Sequence, residues 1–172
     1  MNIDELKKLF KKYEEDLKNN NLDPIFDDKY AFKDYFYSGR GLSIANVKEF
    51  FEAQGIDPLK YVTKIPTWYY EDAKLDNLDL FKYTNLKTIE LEAFAHCYID
   101  KDLILPNSIE KIGNDSFWLK VSNLYLSDNL KEVNPIAFDS LKCNYIIYKD
   151  KKYKKGTIIK ALKDNEVDVA YL

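Results

Sequence analysis

The chain has 172 residues, enough for one ordinary domain or a domain with a small annex, and 46% of them are hydrophobic, so it can bury a real core. A net charge of −3 argues against a nucleic-acid binder driven by bulk charge, and no apolar run approaches the length of a membrane span. The opening Met1-Asn2-Ile3-Asp4-Glu5 is acidic and lacks an apolar leader core, which gives the expectation of a soluble cytoplasmic protein.

Residues 3–20 place Ile3, Leu6, Leu9, Phe10, Tyr13 and Leu17 at helical spacing, with Lys and Glu on the other side. Asn19-Asn20-Asn21 and Asp23-Pro24 end this amphipathic helix. Tyr30–Tyr37, with Phe32, Tyr35 and Phe36, is a second helical segment. Ser43 is placed to cap a third over Ile44–Gln54, whose inner face is Val47, Phe50 and Phe51, and Gly55 ends it. These residues, 1–58, form a helical region that serves as an N-terminal cap or a separate small bundle.

The rest of the chain repeats. A branched apolar residue followed five positions later by an aromatic occurs as Ile65/Tyr70, Ile89/Phe94, Ile112/Phe117 and Val133/Phe138. Strand-like triplets follow the same order: Leu78-Asp79-Leu80, Leu103-Ile104-Leu105, Leu124-Tyr125-Leu126 and Tyr145-Ile146-Ile147, spaced by 25, 21 and 21 residues. Leu103–Asn123 and Leu124–Asn144 align without a gap. A period of about 20–30 residues marks a solenoid, in which each rung buries its apolar face only by stacking on its neighbours. About four rungs are expected over residues 59–150, followed by a C-terminal segment over 151–172. The fold class is α+β.

The phrases LILPNSIEKIGNDSF and LYLSDNLKEVNPIAF resemble the BspA-like class of leucine-rich repeats, and Phe94-Ala95-His96-Cys97 matches its F-x-x-C ending. The resemblance covers about residues 59–172. It implies a right-handed stack with a parallel sheet on one side and interaction with other macromolecules. It also implies a closing hairpin over Tyr148–Tyr153 and a short helix over Thr157–Lys163. Asn134-Pro135 departs from the family's usual Gly plus polar residue.

Alternation along the strands sends Leu103/Leu105, Leu124/Leu126 and Tyr145/Ile147 inward and Ile104, Tyr125 and Ile146 outward. Asp79 and Tyr148 flank that row. An apolar row on a sheet face meets a partner or is covered by the chain's own helices. Asp102, Asn123 and Asn144 form a polar row beside it. The expected partner-binding residues are thus Ile104, Tyr125, Ile146, Tyr148 and Asp79, and the expected partner is another protein.

Chemistry finds little support. His96 is the only histidine and falls on a variable turn position. Ser38-Gly39-Arg40-Gly41 precedes a helix but lacks the P-loop lysine and spacing. Cys97 and Cys143 sit about two rungs, roughly 10 Å, apart, beyond disulfide reach, and both read as buried, reduced thiols. No nucleophile–base–orienter set, metal site or cofactor site assembles, so the chain reads as a non-enzymatic binding solenoid. An intracellular inhibitor or adaptor carried by a phage or mobile element is one setting. The alternatives are a nucleic-acid-associated protein using the Lys/Tyr-rich 148–155 hairpin, and a self-associating structural module.

Overall fold

The structure is a computed structural model and describes Lys8, Lys11, Glu15, Asn19, Lys64, Ile65 and residues 67–75 and 78–171. Lys8, Lys11, Glu15 and Asn19 are helical and exposed, at the positions where the sequence puts the polar face of the 3–20 helix. The expected helices over 30–37 and 44–54, the Ser38–Gly41 loop and any covering of the sheet by the N-terminal helices lie outside the described residues. The repeats belong to a compact unit made of Lys64–Lys82 and Leu86–Leu172.

That unit is a β-solenoid of about four turns. Each turn contributes one short strand to each of up to three sheets. Sheet A is parallel, with order β1-β2-β5-β8-β11, formed by Lys64–Ile65, Thr88–Ile89, Lys111–Ile112, Glu132–Val133 and Asp168–Val169. Sheet B pairs β3 (Cys97–Tyr98) with β6 (Leu119–Lys120) and is extended by single bridges from Lys74 to Tyr98 and from Lys120 to Lys142. Sheet C has the order β10-β9-β7-β4: β4 is Leu103–Ile104, β7 Asn123–Tyr125, β9 Tyr145–Tyr148 and β10 Lys151–Tyr153. The strands are two to four residues long because the chain must turn a corner after each.

The branched residues of the repeat hold sheet A in register. Ile65 pairs with Ile89, Ile89 with Ile112, and Ile112 with Val133. All four are at most 2% exposed. The aromatic five positions on turns inward beside them. Tyr70, Phe94, Phe117 and Phe138 stack in sequence, with centroids 5.1, 5.9 and 5.7 Å apart and planes within 20° of parallel. This spacing is set by the backbone, since adjacent strands lie about 4.8 Å apart. The expected alignment of these residues is what the structure shows.

Gly113 follows Ile112 for a steric reason. A Cβ there would lie 3.0 Å from both the Glu90 carbonyl carbon and the Leu91 nitrogen. At the equivalent place in the next rung stands Asn134, 1% exposed, whose backbone N–H donates to the Ile112 carbonyl at 2.9 Å. Its side-chain oxygen accepts the Ile136 N–H at 3.1 Å, forming a turn on its own account. The departure at Asn134-Pro135 is therefore accommodated locally.

After the last rung β10 folds back antiparallel on β9. Lys149 and Asp150 make that turn with φ of 47° and 60°, the left-handed pair that a two-residue hairpin loop requires. Helix α1 (Lys155–Lys163) buries Ile158, Ala161 and Leu162. β11 then rejoins sheet A beside β8. The two cysteines form no disulfide; Cys97 is buried as expected but Cys143 is only half-buried, and burial pushes the Cys97 thiol up to about 11 and raises that of Cys143.

Two readings from the sequence need correction. Leu78-Asp79-Leu80 is not a strand: Leu80–Lys82 forms a 3₁₀ turn, because the Asp79 carboxylate accepts the Phe81 N–H at 3.0 Å and favours a turn over an extended chain. The triplet beginning at Tyr145 is displaced by one. Leu124 pairs with Ile146, and Tyr125 with Ile147. The cause lies one corner earlier. In the rungs of Phe94 and Phe138 the corner is closed by N–H donation across three residues, from Cys97 to Phe94 and from Leu141 to Phe138. In the rung between them Leu119 donates to Phe117, two residues back, at 2.7 Å. That corner is one residue shorter, so the gapless alignment holds through Phe117/Phe138 and slips after it.

Candidate functional site

The outer faces of the three sheets differ in chemistry. On sheet A the outward column is Lys64, Thr88, Lys111, Glu132 and Asp168, and lysines and glutamates on and beside it pair across rungs. Lys64 pairs with Glu90 at 3.1 Å, and Lys111 with Glu132 at 3.0 Å. Glu110 receives both Lys87 and Lys131, at 3.2 and 2.6 Å, and these two hydrogen bonds hold its carboxyl below the usual carboxylate range. On sheet B the outward column is Lys74, Tyr98, Lys120 and Lys142. On sheet C it is apolar.

The sheet C column consists of Ile104, Tyr125 and Ile147, brought side by side by the pairing of β4 with β7 and of β7 with β9. Ile104 is 47% exposed, Tyr125 is half-buried and Ile147 lies at the floor with 9% exposure. Phe81, on the 3₁₀ turn beyond β4, is 57% exposed. Together these four line an open groove of about 270 Å³. Its rim is polar, with Asn107, Asp128, Lys149 and Asp150. The rim is fixed by hydrogen bonds between rungs: the Asp128 N–H donates to the Asn107 side chain at 3.0 Å, and the Asp128 carboxylate accepts the Lys149 N–H at 3.1 Å. An apolar floor with a polar, pre-formed rim is the anatomy of a protein-interaction patch.

Of the residues expected to bind, Ile104 and Tyr125 line this groove. Ile146 does not. It is fully buried, in the inward column that continues Leu103 and Leu124. Tyr148 is also inward, 1% exposed, because the one-residue slip that turns Ile146 in turns Tyr148 in with it. Asp79 is exposed and caps the 3₁₀ turn beside Phe81. Ile147 and Phe81 were missed from the sequence. The dipeptide Leu119-Lys120 recurs as Leu141-Lys142, 22 residues later, and that recurrence is the signal that would have placed Ile147.

The polar row beside the groove also follows the corrected register. Asn123 donates to Asp102 at 2.9 Å, as an inter-rung link. Asn144 instead aligns with Ser122, whose carbonyl accepts its N–H at 2.9 Å. His96 is exposed and lies against Trp118, with ring centroids 3.8 Å apart. Among the described residues, no three His, Cys, Asp or Glu side chains come close enough to hold a metal ion, and no helix is long and apolar enough to cross a membrane.

The rung lengths, the buried branched-residue columns and the aromatic ladder define a repeat that can be compared with known families. A family model described as BspA type leucine rich repeat region (6 copies) matches residues 50–158, more than half of the chain. Neither the curated proteins nor the solved structures give a match. The chain belongs to the BspA type leucine-rich repeat family.

Proposed function

We propose that the protein is a non-enzymatic binding solenoid that holds a protein partner on the outer face of sheet C. The observation that supports this reading is the apolar groove of Phe81, Ile104, Tyr125 and Ile147 within its polar rim. Membership of a family that suggests protein interaction points the same way. Rigid, short strands present these side chains at low entropic cost, and aromatic residues are frequent anchors at such interfaces. In this role the chain is an adaptor or an inhibitor acting inside the cell, with a phage or mobile element as one setting. The nucleic-acid reading of the 148–155 hairpin loses its stacking surface, since Tyr148 is buried and Tyr153 half-buried.

The test uses affinity capture from a host lysate with the wild-type chain, Tyr125→Asp and Ile104→Asp. Both variants are expected to melt within a few degrees of wild type. Each should weaken recovery of the specific partner by at least about tenfold, equivalent to roughly 1.4 kcal/mol. Unchanged recovery with both variants would place the partner on another surface.

A further inference from the structure

Sheets A and B both carry lysines, and those of sheet A meet carboxylates across rungs. On the sheet B side, Lys120 and Lys142 stand outward on adjacent rungs, linked by a parallel bridge. The chain then bends at Asn144 and enters β9 at Tyr145, where the closing hairpin adds two more ammonium groups. Lys154 Nζ lies 4.0 Å and Lys152 Nζ 5.5 Å from the centroid of the exposed Tyr145 ring. Lys154 also donates to the Asn144 carbonyl at 3.0 Å, which anchors it at this corner. Lys120 Nζ sits 5.5 Å from the centroid of Tyr98, itself 40% exposed. Among the described residues Lys120, Lys142, Lys152 and Lys154 form no ion pair with a carboxylate. The Tyr98 hydroxyl donates to the Asp100 carboxylate at 3.0 Å, so one negative charge stands at the Lys120 end, and in a chain of net charge −3 the four lysines remain a local concentration of positive charge.

We propose that this basic strip, Lys120, Lys142, Lys152 and Lys154, is a second interaction surface that receives an acidic protein segment. The assignment rests on charge and not on the sheet C groove, although Lys152 stands opposite Ile147 in that sheet. Charge complementarity selects an anionic ligand, and the rings decide its class. A single-stranded nucleic acid would bind by laying its bases on exposed aromatic faces. Here Tyr98 and Tyr145 already carry lysine ammonium groups over their rings. The rings orient the lysines instead of offering themselves to bases. Oriented ammonium groups match carboxylates through charge-assisted hydrogen bonds.

Fluorescence anisotropy with a labelled oligoglutamate peptide tests the assignment on the full chain. The peptide is expected to bind at low ionic strength and to weaken steadily as salt rises. Replacing the four lysines by Gln should weaken binding by roughly tenfold or more, while replacement by Arg should retain it. The single changes Lys120→Glu and Lys142→Glu, at exposed sites, carry the same test should the fourfold Gln variant fold poorly, and each should weaken binding severalfold. Equal binding by wild type and these variants overturns the proposal. So does a lack of peptide binding by the wild-type chain. Tighter binding of a labelled oligothymidine than of the peptide also overturns it, and assigns the strip to nucleic acid.

Discussion

Sheets A and C enclose the same core and are built by the same short parallel strands, yet their outer faces differ in kind. Sheet A largely satisfies itself. Its lysines and glutamates pair between neighbouring rungs, and Asp168 at the last strand stands beside Glu132 outside those pairs. Sheet C leaves Ile104 and Phe81 largely in water and continues the apolar face through the half-buried Tyr125 to Ile147. The difference teaches that the repeat fixes inward residues while leaving outward ones free, so function has to be sought in departures from a self-matched surface.

The contrast breaks most severely at Ile146. Ile146→Asp puts a carboxylate into a fully buried site, and the protein should fail to fold, whereas Ile104→Asp should leave the melting curve near that of wild type. Similar stabilities for the two variants would mean that the register of β9 on β7 is wrong. Phe117→Ala removes the ring between Phe94 and Phe138, which both faces depend on. Denaturant unfolding should show a loss of roughly 3–5 kcal/mol, and a loss under about 1 kcal/mol would refute the shared aromatic spine. Gly113→Ala tests the close approach of rungs under sheet A. The added methyl group meets backbone atoms at 3.0 Å, and a cost of about 1–3 kcal/mol is expected by the same measurement. An unchanged stability would show that the rungs can separate.

The smallest effect belongs to the matched charges. Glu110 has its carboxyl lowered by Lys131 and Lys87, so it favours the folded state when ionised. That contribution is present above the ordinary glutamate range and is lost as pH falls through the lowered folded value. Glu110→Gln should therefore produce a slight fall in melting temperature at pH 7 and none in strong acid, with salt narrowing the gap. A larger deficit in acid than at neutral pH would reverse the assignment.

Much of the scaffold is legible in the sequence because it is periodic. Ile65, Ile89, Ile112 and Val133, each with an aromatic five positions on, announce sheet A and its spine without any structure. The Lys149-Asp150 hairpin and the helix that begins at Lys155 follow the expected closing segment. The outer face of sheet C was only half legible. Ile104 and Tyr125 are on it, but Ile146 is not, since the two rungs differ in length at a corner where Leu119 donates to Phe117 and no glycine or proline marks the change. Phe81 was hidden for a different reason. Leu78-Asp79-Leu80 has a strand's alternation, and the Asp79 carboxylate outweighs it by accepting the Phe81 N–H and favouring a turn.

The short corner at Trp118 has a wider consequence. A strand has two sides, so adding or removing one residue ahead of it exchanges what it shows for what it hides. The parallel ladder tolerates the change because each rung bonds only to its neighbours and the corner, not the strand, absorbs the difference. A one-residue insertion beside Trp118 would lengthen that corner to match the rungs on either side, leaving the pairing around it free to reset in single steps. Corner length thus works as a selector, letting a repeat of fixed inward chemistry display a different set of side chains through insertion or deletion alone, without a single substitution on the displayed face.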